Sequence, residues 1–166
     1  YTVSNMKQYY QNGQSWSSNG LNGCPGSTIG GSGCGITAVA MIASKYGSTD
    51  TPADVNNRLG SAACPLAYAT VASVYGLTYN ILAFNQNYSQ DGAKSLILGA
   101  LSVGRPVLIY LKNGSSTHFV VAESYTEYEN GHYIFGIKNP WNGSGATLAS
   151  YTSSGYTISH IIPYYR

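Results

Sequence analysis

Residues 32–47, SGCGITAVAMIASKYG, decide how the rest of the chain reads. A glycine-rich turn runs into a strong helix former, in which Ala38, Val39, Ile42, Ala43 and Tyr46 recur at the spacing of one buried stripe. Gly47 stands where helices end. Cys34 therefore opens a helix, and the unpaired amides and macrodipole there predict a thiol pKa below its ordinary value. Gly33 and Gly35 leave the sulfur unshielded. For an arbitrary cysteine at a helix start, a small buried side chain is the better explanation, so its partners have to decide.

The chain has 166 residues, enough for one domain with a real core. Hydrophobic residues make up 43% of it, but charged ones only 8%, far below the roughly 25% of typical soluble domains. Tyr (16), Gly (20), Ser, Thr and Asn fill the surface instead, a composition suited to carbohydrate or cell-wall surroundings. A formal charge of +2 gives no electrostatic reason for a nucleic-acid or membrane-surface partner. There is no apolar run near the length of a membrane span. The start at Tyr1 reads as a processed protein or as residues 1–166 cut from a longer modular one. Cys24 and Cys64 either form a disulfide or are two reduced thiols; three cysteines leave one over in either case.

Residues 1–33 look irregular, with Gln8, Gln11 and Gln14 among Tyr9, Tyr10 and Trp16. Beyond the Cys34 helix, TPADVNNRLG carries Thr51 as N-cap, Pro52 at the first helical position and Gly60 as the stop. Residues 65–75 read as a third helix, 77–84 as a strand and 91–103 as another helix closed by Gly104. The run 106–111, PVLIYL, suits a central strand. From His118 onward the pattern is antiparallel sheet: 118–125 and 132–139 around Asn130-Gly131, then strands over 147–151 and 157–165 beyond a Gly/Ser-rich loop at 142–146. Helices first and sheet second is an α+β arrangement.

Cysteine catalysis needs a base beside the sulfur and a group that fixes the base's tautomer. If the strand 118–125 pairs with 132–139 so that His118 faces Asn139, then Val120 faces Ile137 and Ala122 faces Phe135 on one otherwise apolar face. The Asn139 amide would then hold one ring nitrogen and leave the other for Cys34. A register slipped by two keeps both on that face, out of contact. His132, in the turn, and His160, in mid-strand, read as structural. No spacing of His and Cys suits zinc, and GGSGCG lacks the ending of a phosphate loop. The carboxylates form no recognisable pair, so glycosidase chemistry has no support.

The order MKQYYQNG, TIGGSGCGITAVAMIASKYG, TPADV, GRPVLIYL, THFVVAESY, GHYIFGIKNPW resembles the papain-like cysteine peptidases of the bacteriocin-leader-processing type, and in particular their secreted or phage-lysin relatives. The likeness runs over nearly the whole chain. It implies a papain-like α+β fold, N-terminal helices packed on a C-terminal antiparallel sheet. Cys34 matches the nucleophile, His118 the general base, Asn139 the residue orienting it, and Gln11 the glutamine that helps the Cys34 N–H hold the oxyanion, with Gln8 as runner-up. Many members carry Asp where this chain has Asn139. Trp141 either covers the bond between His118 and Asn139 or is an ordinary core aromatic.

The resemblance implies hydrolysis of peptide bonds through a thioester, with no cofactor and no metal. Composition points the target toward peptidoglycan peptides outside the cell, as in a lysin with wall-binding domains fused elsewhere. A secreted peptidase of proteins and a non-catalytic wall-binding module stand as alternatives. N-x-S sequons at Asn87, Asn113 and Asn142 carry weight only in a glycosylating host.

Overall fold

The computed structural model describes residues 1–141 and 146–166, so most of the Gly/Ser-rich loop and the Asn142 sequon lie outside the described residues. The elements in order are α1 (Ile29–Ser32), α2 (Cys34–Lys45), α3 (Pro52–Leu59), a 3-10 turn (Gly60–Ala63) and α4 (Tyr68–Tyr75). Then follow β1 (Thr78–Tyr79), α5 (Gln90–Leu101), β2 (Val107–Asn113), β3 (Ser116–Glu127), β4 (Tyr133–Lys138), α6 (Ala149–Thr152) and β5 (Thr157–Tyr165). The strands form one sheet in the order β1-β5-β2-β3-β4, with every pair antiparallel.

The fold is the expected α+β one, with one addition. Alternate residues of β2 enter two separate cores: Leu108 joins α2, α3 and α4, whereas Val107, Ile109 and Leu111 join α5. A strand covered on both faces is why PVLIYL reads as a continuous apolar run. Helix α2 is likewise buried all round from Gly35 to Ser44 and not along one stripe. It packs against β3 and α3, and residues 7 and 8 cross it through Lys7 N–H to Ser44 Oγ (2.8 Å) and Gln8 Nε2 to Met41 Sδ (3.4 Å).

Local chemistry sets the ends of the helices. After α2, Gly47 (φ +96°) donates to Ser44 O and Ser48 N–H returns to Ala43 O, the paired bonds of a Schellman stop. Thr51 and Asp54 cap α3 reciprocally, and Gly60 ends it. Helix α4 starts at Tyr68, later than expected, because residues 65–67 belong to the connection; Gly76 closes it in the left-handed region.

Two stretches read as strands are mostly something else. Residues 77–84 keep only Thr78–Tyr79 as strand; the rest skirts β5 through Leu82 N–H to Ile161 O and an isolated Ala83 bridge. The stretch 147–151 makes one bridge, Thr147 to Gly136, and then turns helical as α6. Leu148 and Tyr151 lie three apart, the spacing of a helical turn, and that outweighed the β-branched start.

The β3–β4 register also differs from expectation. Ala122 faces Ile137, and beyond an extra residue at Glu123, Tyr125 faces Phe135, so the pairing near His118 is slipped by two. The bulge is tied from outside: Glu123 O accepts from Val3 N–H (2.7 Å), and Thr2 bridges Ser124. Gly136 opposite lacks the Cβ that Ser124 Oγ would strike. His118 and Asn139 become diagonal neighbours, which long side chains can still join.

Candidate active site

Cys34 is the first residue of α2, delivered by the α1 turn with Gly33 as N-cap. The helix start abuts β3 closely: a Cβ on Gly35 would lie 3.3 Å from the Phe119 ring. The thiol consequently meets backbone N–H groups of Phe119, Gly35 and Cys34 itself, all of which favour a thiolate. Burial opposes them and is the larger effect, so the thiol pKa lies above its ordinary value of 9.0. The expectation of a lowered pKa is corrected here. A helix end supplies only a fraction of a charge, while desolvating sulfur penalises the whole one.

His118 is 9% exposed, and its Nε2 lies 2.8 Å from Asn139 Oδ1. The slipped register therefore does not part them. Trp141 backbone N–H donates to the same Oδ1 at 3.1 Å, which identifies that end of the amide as the oxygen. Oxygen only accepts, so Nε2 carries the proton and Nδ1 holds the lone pair of the base. Burial lowers the His118 pKa below 6.5, with the Asn139 bond opposing. Both shifts favour a neutral thiol beside a neutral imidazole at rest.

The cover over this pair is Tyr151, which carries no local signal in the sequence. Its ring stacks on the His118 imidazole (centroids 5.4 Å, 29° between planes), and its hydroxyl accepts from Asn139 Nδ2 at 2.8 Å. An ionised Cys34 would push the Tyr151 pKa up further. Phe119, whose N–H meets the Cys34 sulfur, follows His118 in β3, and Tyr151, which stacks on His118, lies within electrostatic reach of Cys34. Trp141 is 44% exposed and contributes its backbone, so the covering role considered for it falls to Tyr151.

The first residues form a strap that grips the Asn139 segment. Gln8 Nε2 donates to Asn139 O (3.0 Å) and to Tyr9 O (2.9 Å) besides Met41 Sδ, so its two amide protons are shared among three acceptors. Gln11 N–H donates to Pro140 O (2.8 Å), and its side chain, 1% exposed, donates to Gly30 O (3.1 Å) in the turn leading to Cys34. One Gln11 amide proton stays available, whereas Gln8 has none. His132 lies in the β3–β4 turn, as expected, but His160 lines a hollow that also includes Cys34. Among the described residues, no group of three or more His, Cys, Asp or Glu is placed to hold a metal ion.

Cys24 and Cys64 are disulfide-bonded, which settles the choice left open by their number and makes Cys34 the single free thiol of three cysteines. A helix-opening cysteine against a sheet that presents His and Asn is the architecture of a papain-like thiol hydrolase. The chain belongs to the Peptidase_C39 like family, whose model matches residues 3–159, and is a cysteine peptidase. No curated protein matches it.

Proposed function

We propose that this cysteine peptidase acts outside the cell, with Cys34 as nucleophile, His118 as base, Asn139 as its orienting partner and Gln11 beside the Cys34 N–H as oxyanion donor. The observation that carries the assignment is the pair of bonds at Asn139, which leaves Nδ1 of His118 as an accepting nitrogen, in a strand whose next residue, Phe119, offers its N–H to the one free thiol. Nδ1 takes the thiol proton as sulfur attacks the substrate carbonyl. The leaving amine departs with that proton, and water, deprotonated by the same nitrogen, opens the thioester. The Cys24–Cys64 disulfide supports an oxidising, extracellular setting.

Bacterial-wall peptides are the first substrate reading, supported by the Tyr-rich surface with 8% charged residues and +2 net charge. Proteins are the second, favoured by the aromatic walls of the hollow next to Cys34. Purified Gram-positive walls and a denatured protein panel, each incubated with the wild type and with Cys34→Ala, test the proposal. Mass spectrometry of the products names the bond. Cleavage of either substrate by the wild type alone is the expected outcome; equal products from both proteins would remove Cys34 from the chemistry.

A further inference from the structure

The hollow next to Cys34 has a volume of about 470 Å³ and is walled by Leu66 and the rings of Tyr68, Phe84, Tyr110, Phe119 and His160. Those rings brace one another. Phe84 stacks on His160 at 4.2 Å, Tyr110 leans on both His160 (4.9 Å) and Phe119 (4.5 Å), and Tyr68 meets His160 edge-on at 6.1 Å. Aromatic walls held this way are formed before a ligand arrives.

Among the polar residues of this lining, Ser32 and Thr117 included, His160 has a defined proton. His160 is 6% exposed, and its Nδ1 accepts from Asn85 N–H at 3.1 Å, with Ser159 Oγ at 3.0 Å. Since a backbone amide can only donate, Nδ1 bears the lone pair and Nε2 bears the hydrogen. That N–H has no acceptor among the described residues, and it is not one of the buried polar atoms sealed off without a partner. Burial keeps the ring neutral, lowering its pKa below 6.5.

The hollow's position fixes which part of a substrate meets it. The leaving amine must take its proton from His118, yet neither His118, Asn139 nor Tyr151 is among the hollow's walls, whereas Cys34 is. The hollow therefore lies toward the acyl side of the scissile bond. We infer that it is a specificity pocket for an acyl-side residue with an aromatic body and an acceptor at its tip, tyrosine above all, read by the rings and by His160 Nε2–H. The inference rests on Cys34 as the acylating nucleophile and not on which polymer is cut.

The test is the rate at which short peptidyl chloromethyl ketones alkylate Cys34, followed by intact mass. The reagents differ in one side chain (Gly, Leu, Phe or Tyr), placed at either of the two residues nearest the ketone. The pocket predicts Tyr over Phe by about tenfold, since filling it with a ring lacking an acceptor strands the N–H, and Phe over Gly by about tenfold or more. His160→Asn retains an acceptor for the Asn85 amide and removes the N–H at the Nε2 position, its own Nδ2 being held nearer the backbone, and should abolish the preference for Tyr over Phe. Equal rates across the series in the wild type, which needs no variant to fold, would overturn the inference, as would an unchanged Tyr-to-Phe ratio in His160→Asn. A selective series from a protein that cuts neither walls nor proteins would leave the pocket standing and sink the proposed function. Cys34-dependent cleavage with a flat series would do the reverse.

Discussion

Tyr151 joins two jobs in one side chain: its ring holds the imidazole plane, and its hydroxyl fixes the amide that fixes the tautomer. Tyr151→Phe keeps the ring and loses the hydroxyl. The expected result is kcat down by about tenfold, the worth of one neutral hydrogen bond, with KM and Tm little changed. A KM effect of equal size would make Tyr151 a binding residue instead. The titration shifts give a second prediction. A neutral base is needed, and its pKa lies below 6.5, so kcat/KM should rise with pH through a midpoint under 6.5. Alkylation of Cys34 by iodoacetamide should stay slow at mildly acidic pH, because burial holds the thiol protonated. Asn139→Asp places a carboxylate beside Nε2 and should move the acid limb upward. The sequence offers Cys34, His118 and Asn139 as candidates because each stands at an end of a helix or strand, and the structure brings His118 to Asn139; Gln11 comes from the resemblance alone, with Gln8 as runner-up. Tyr151 was not legible, because its partners lie far along the chain, and the resemblance offered the nearer Trp141 for its role.

Among the elements, α2 and β2 were readable because burial leaves a run of apolar residues in any register, and α3 because Thr51, Pro52, Asp54 and Gly60 mark its ends. Hidden were the features that depend on other segments: the bulge at Glu123, set by the Val3 amide, and α6, which a five-residue stretch cannot distinguish from strand. Short α6 owes its place to Leu148, fully buried in the α5-side core, with its N–H bonded to Phe135 O at 2.9 Å. Leu148→Ala should cost about 2–5 kcal/mol by denaturant titration. It should also reduce activity at temperatures where the protein stays folded, because α6 carries Tyr151. Unchanged kcat in a destabilised Leu148→Ala would show that α6 holds its position without that anchor.

For the whole molecule, His118 and His160 are both held neutral by burial. Their folded pKa values lie below the ordinary 6.5, so their contribution to stability is complete above pH 6.5 and is lost as pH falls from there through the folded values. Cys34 acts in the opposite direction: with its pKa above 9.0, stability falls as pH rises past 9. Thermal melts should therefore show a plateau between about pH 6.5 and 9 with a decline on each side, and a melt still strengthening below pH 6 would contradict the buried-histidine reading. The Cys24–Cys64 bond spans 40 residues, and loop-closure entropy gives it about 4 kcal/mol. Its effect is local as well, since Cys64 sits in the rim of the hollow, next to Leu66. If the hollow selects substrate as inferred, a reductant that opens this bond unties its rim and should blunt the choice among the chloromethyl ketones as well as lower the Tm.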